Sequence, residues 1–72
     1  MKPNEIRAEL IRNNIKVKDI AAGCSVASQQ VSMAISNKRP YVRIRQAIAD
    51  ALTEATDKPV LISDLWPEQE QS

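Results

Sequence analysis

The chain has 72 residues, a single cysteine, no histidine, no phenylalanine and a formal net charge of +1. That length holds one small domain with a modest core. The composition excludes an intramolecular disulfide and a cysteine-built zinc cluster, and it removes the commonest general base and metal ligand.

No apolar run approaches the roughly 20 residues that span a bilayer. Met1 to Ile6 lacks the apolar segment of a signal peptide. A cytoplasmic protein without membrane contact is therefore expected. The small net charge hides a division along the chain. Up to Arg45, nine Lys/Arg face three acids, a net +6; from Gln46 onward Lys58 alone faces six acids, a net −5. A basic face for a polyanion with an acidic far end accounts for this polarity, and so does an ordinary solvated surface.

The pattern is all-helical, because no segment alternates long enough for a strand. Pro3 suits the first turn of a first helix, where its missing N–H is not needed. Ile6, Leu10 and Ile11 share its apolar face, and Asn13-Asn14 is a stop in which either asparagine takes a left-handed conformation. A second helix spans about Val17 to Cys24, with Val17, Ile20, Ala21 and Cys24 inward and Lys18 and Asp19 in water. Gly23 weakens that helix slightly and leaves room for a second helix to pack closely.

After a turn at Ser25-Val26, a third helix runs from about Ser28 to Ser36. Val31, Ala34 and Ile35 face inward; Ser28, Gln29, Gln30, Ser32 and Met33 face outward. Asn37-Lys38-Arg39-Pro40 is a basic loop that Pro40 marks as a break. A fourth helix, about Tyr41 to Ala55, carries the apolar stripe Ile44, Ile48, Ala51, Leu52 and Ala55. Asp57-Lys58-Pro59 ends it. Val60 to Trp66 forms a last short helix or turn that closes the core, with Trp66 its largest piece of burial. The domain thus occupies 1–66, and 67–72 is a polar tail that frays. The expected fold is an all-α, compact bundle of four to five short helices.

The stretch Ile20 to Ile35 has the requirements of two short helices that cross steeply. A small residue, Ala21, sits at the crossing, an apolar plug, Val26, follows the turn, and Val31 and Ile35 anchor a helix with a polar outer face. In these residues the chain resembles the lambda repressor/Cro-like helix-turn-helix family over roughly residues 4 to 66. Ile48 to Leu52 with Leu65-Trp66-Pro67 is similar to the small Ner/Nlp-type phage regulators, although the spacer between the two segments is longer here. Three positions depart from the family pattern. Ser25 replaces the usual turn glycine, and Lys16 and Ala27 stand where Ser or Thr normally caps helices two and three. Each departure costs about 1 kcal/mol, which predicts a modestly stable domain.

The resemblance implies a DNA-binding regulator with a central helix-turn-helix, in which Ser28, Gln29, Gln30, Ser32 and Met33 meet base edges. A glutamine amide pairs bidentately with adenine, and Met33 suits a thymine methyl as well as partial burial. Lys16, Lys18, Asn37, Lys38, Arg39, Tyr41 and Arg43 are expected at the sugar-phosphate backbone, with Arg43 entering a narrow minor groove. On the surface, Arg43 and Arg45 also suit pairing with Glu or Asp. Cys24 and Trp66 are expected in the core.

The expected partners are a two-fold symmetric double-stranded operator and a second copy of the chain, joined through the end of helix four and Pro59-Val60-Leu61. Repression by blocking polymerase, in a nucleoid-associated location, is the expected action. The alternative is a protein-interaction module, adaptor or antitoxin-like, for which an exposed Val60-Leu61-Trp66 patch would argue. No cofactor, metal or small-molecule ligand is expected. An enzyme is the least expected class, since carboxylates such as Glu5 and Glu9 fall on a solvated helix face.

Overall fold

In the computed structural model, which describes residues 2–36 and 41–67, five helices follow one another: α1 (Pro3–Arg12), α2 (Val17–Cys24), α3 (Ser28–Ile35), α4 (Val42–Thr56) and α5 (Ile62–Leu65). No strand occurs among the described residues, and no helix among them is long and apolar enough to cross a membrane. The expected all-α class is what the chain adopts. The expected basic loop, Asn37 to Pro40, and nearly all of the polar tail lie outside the described residues.

Helix ends are made by two recurring devices. At the N-termini of α1, α3 and α5, the third helical residue reaches back to the N-cap amide: Glu5 Oε1 accepts from Lys2 N–H at 2.7 Å, Gln30 Oε1 from Ala27 N–H at 3.3 Å, and Asp64 Oδ2 from Leu61 N–H at 3.0 Å. In none of the three does the cap residue return a side-chain bond. Each helix therefore has one arm of a capping box.

At the C-termini of α1 and α2 the chain makes the same left-handed exit. Asn14 (φ 60°) and Ser25 (φ 58°) are the left-handed residues. Ile15 N–H donates to Leu10 O at 2.8 Å, and Val26 N–H to Ala21 O at 3.0 Å, the long bond of a Schellman motif. Ile15 and Val26 then turn inward against the core. Asp57 (φ 58°) ends α4 in the same conformation. Asn and Asp tolerate this region, but Ser25 gains nothing comparable.

α4 packs against α2, α3 and α5, and α3 packs in turn against α2 and α1. Ile6 and Leu10 of α1, Ile20 and Ala21 of α2, and Val31, Ala34 and Ile35 of α3 are buried as expected. Ile11 is not; it is 76% exposed. It lies about 100° around the helix from Leu10, on the side away from α3. Val17 and Cys24 are half-buried against the core rather than within it. Gly23 is exposed, and a Cβ built on it would meet nothing within 4 Å, so no helix packs closely there.

The α4 stripe is also turned from its expected position. Ile44, Ile48 and Leu52 are buried, but Ala51 is half-buried and Ala55 exposed. Their places in the core are taken by Ala49 and Arg45, the latter only 2% exposed. Because α4 has neighbours on more than one side, its buried face widens to i, i+1, i+4, i+5 and i+8. The segment after α4 is pinned by Thr53, whose Oγ1 accepts from Val60 N–H at 2.9 Å and donates to Val60 O at 3.2 Å. That clasp delivers α5 and buries Trp66.

Relieving the left-handed serine is expected to stabilise the fold. Ser25→Gly should raise unfolding stability by about 0.5–1 kcal/mol, about 2–8 °C in the melting temperature of a domain this size, read by far-ultraviolet circular dichroism.

Candidate nucleic-acid interface

The outer face of α3 follows from its inner one. Val31, Ala34 and Ile35 fix the buried side, and at about 100° per residue the opposite side carries Gln29 and Met33 with Ser32 on its flank, while Ser28 lies closer to the buried side and is exposed by its place in the first turn. Ser28 and Gln29 are exposed, and Ser32 and Met33 are half-buried. The face is polar and carries no charge, so every group on it is a hydrogen-bonding or van der Waals partner rather than an ionic one.

Gln30 sits at the edge of this face, and its carboxamide oxygen is engaged by Ala27 N–H at 3.3 Å. Its acceptor is thus directed back along the helix. Of the two adjacent glutamines, Gln29 is the one with both ends of the amide open to a partner. The cap bond was not foreseen, although the three-residue spacing of Ala27 and Gln30 was its signal.

Three expected backbone cations stand on other elements. Lys16, the N-cap residue of α2, and Lys18, in its first turn, are exposed, as is Arg43 at the start of α4. Among the described residues no acid forms an ion pair with any of the three. Lys16 and Lys18 stand where the α2 dipole is positive and disfavours them, so a bound anion there would be shared between side chains and helix end. Tyr41 is half-buried against the core as the N-cap residue of α4, and only part of it is open to a partner. Asn37, Lys38 and Arg39, the remaining expected backbone contacts, lie outside the described residues.

The residue that sequence reasoning placed on the surface, and that the fold puts at its centre, is Arg45. Its Nε donates to Ala34 O at 3.2 Å, and its guanidinium carbon lies 4.7 Å from the centroid of the Trp66 ring. Trp66 Nε1 in turn donates to Ile35 O at 3.3 Å. Burial desolvates the guanidinium and pulls its pKa below the ordinary arginine value, which for arginine leaves the charge in place.

These contacts complete the C-terminus of α3. Ser36 N–H takes Ser32 O at 3.0 Å, Ser36 Oγ takes Met33 O at 3.3 Å, and Arg45 and Trp66 take the carbonyls of Ala34 and Ile35. All four orphan acceptors of the last turn are paired. A cation at that end also meets the negative pole of the helix dipole. The helix is therefore held rigidly at its buried end and presents its N-terminal turns outward.

No family model matches the sequence, and no curated protein or solved structure matches it either.

Two expectations follow. Arg45→Ala, which removes a charge-assisted hydrogen bond and a ring contact, should cost about 3 kcal/mol, roughly 12–24 °C in melting temperature. Completing the half-made cap with Ala27→Ser should instead add about 0.5–1 kcal/mol, provided Gln30 is intact, as thermal denaturation of Ala27→Ser in the Gln30→Ala background would check.

Proposed function

We propose that the chain is a non-enzymatic, sequence-specific DNA-binding regulator, acting as a repressor, that lays α3 in the major groove. The observation that carries this reading is the pairing of a fully anchored C-terminus of α3 with a polar, uncharged outward face. A helix that reads base edges needs fixed placement and side chains that bond to those edges, and amide, hydroxyl and thioether groups do so without the sequence-independent pull of a charge on phosphate. The resemblance of Ile20–Ile35 to the lambda repressor/Cro-like helix-turn-helix supports the same conclusion from the sequence side.

In this reading Gln29 pairs bidentately with an adenine edge, and Gln30 donates from its amide while its oxygen caps the helix. Ser28 and Ser32 bond to bases or nearby phosphates, and Met33 covers a thymine methyl. Lys16, Lys18, Lys38, Arg39 and Arg43 neutralise phosphates, and Asn37 and the hydroxyl of Tyr41 donate hydrogen bonds to them. Two copies on a two-fold operator would set their α3 helices about 34 Å apart, one turn of DNA. Occupying the operator then excludes polymerase, and the protein resides with the nucleoid in the cytoplasm.

The competing reading, a protein-interaction module, asked for an exposed apolar patch at Val60, Leu61 and Trp66. Trp66 is buried and Val60 half-buried, which leaves Leu61 as the exposed member of the three.

Selection from random duplex DNA tests the proposal. A palindromic consensus should emerge, with Gln29→Ala weakening binding to it by about 5- to 150-fold, equivalent to about 1–3 kcal/mol. Lys18→Ala should weaken all sequences alike and lower the salt slope by about one ion. Absence of any consensus, with weak binding indifferent to Gln29, would refute the reading.

A further inference from the structure

We propose that two copies of this chain associate about a two-fold axis passing near Ile15, each placing its basic apolar groove on the acidic groove of the other. The inference deepens the homodimer part of the function proposed above and locates it away from the Leu61 segment. It stands on two grooves that meet at one residue.

The first groove runs between the end of α1 and the start of α2. Ile11, Ile15 and Val17 give it an apolar lining, and Arg7 and Lys16 give it cations. Ile11, at 76% exposed, is the most exposed large apolar side chain among the described residues. The second groove lies between α2 and α4, where Gly23, Cys24, Ala47 and Ala51 leave a shallow floor and Asp19, Asp50 and Glu54 carry the charge. Gly23 has nothing within 4 Å of where a Cβ would stand, so the floor is open to an incoming side chain. The three acids are exposed, and Asp50 Oδ1 accepts from Gln46 Nε2 at 2.8 Å.

The two linings are complementary without drawing on Lys16, which the function proposed above gives to phosphate: a protruding isoleucine with Arg7 matches a small-residue trough with three carboxylates. Both belong to the same chain, whose net charge of +1 leaves little repulsion between copies. Complementary patches far apart on a molecule join head to tail, as rings or as open filaments. Here Ile15 lines both grooves. A two-fold axis beside it makes both contacts at once, basic on acidic and acidic on basic, and the assembly closes as a dimer. No residue of α3 lines either groove, so the outward face of that helix stays uncovered.

Sedimentation of the full chain from micromolar to millimolar concentration tests this. A monomer–dimer equilibrium is expected, weakened by salt because the charges are at the surface. Ile11→Glu should raise the dissociation constant by about tenfold or more, with helical circular dichroism unchanged. Arg7→Glu and Glu54→Lys should each weaken the dimer, and the double variant should regain association; Leu61→Glu should leave it intact. Binding of one copy to a half-site duplex should be unaffected by Ile11→Glu. A failure of self-association is thereby separated from a failure of DNA reading, which would show as no half-site binding by the wild-type chain. A chain that stays monomeric at millimolar concentration, a dimer indifferent to Ile11→Glu or abolished by Leu61→Glu, or open-ended growth would each overturn the proposal.

Discussion

The fold turns on how the C-terminus of α3 is buried. A helix end inside a protein leaves four carbonyl groups without partners, and each costs free energy on the order of 1–3 kcal/mol if water is excluded and nothing replaces it. Here Ser36 supplies two partners locally, and α4 and the turn after α5 supply the others through Arg45 and Trp66. That arrangement ties together segments 31 residues apart in the chain, Ile35 and Trp66. It also explains why a domain without phenylalanine has its single tryptophan at the far end. The indole closes the core, donates to α3 and provides a surface for the guanidinium.

The consequence for α3 is a division of labour along its eight residues. The carbonyls of the last turn are all committed to partners, whereas the first turn carries Ser28 and Gln29 into solvent and is capped by Gln30. Two weaker features of the domain stand just before it. Ser25 is left-handed without the freedom of glycine, and Ala27 caps without a side-chain acceptor. At the matching exit from α1 the left-handed residue is Asn14, which tolerates that conformation, so the turn that leads into the outward face is the more strained of the two. Departures from locally favourable choices of this kind are commonly found beside functional surfaces.

Most of the helical framework was legible in the sequence, because helix boundaries rest on short-range chemistry. Pro3, Asn14, Ser25 and Asp57 mark starts and stops by their own backbone preferences or by their position after a periodic run, and α2 spans Val17 to Cys24 as expected. What was not legible depended on tertiary neighbours. Nothing in the spacing of Leu10 and Ile11 says which one a later helix will cover. An arginine beside Ile44 is a surface residue until a tryptophan 21 positions onward arrives to cover it. Gly23 resembled a close-packing site, but no element reaches it. Among the candidate site residues, the outward face of α3 was readable from its period. The engagement of Gln30 oxygen by Ala27 was also within reach, because a glutamine three residues past a cap is a local signal.

The central proposal is that the outward face of α3, together with Lys16, Lys18 and Arg43, meets DNA. It is tested most directly by recording backbone amide resonances while the full chain is titrated with a short duplex at low salt. The account predicts that shifts concentrate at Ser28, Gln29, Ser32 and Met33, and at Lys16 and Lys18. The resonances of Asp50 and Glu54 on the acidic side should stay nearly still. Shifts centred on that acidic side, or none on α3 at a duplex concentration that saturates any change, would contradict it.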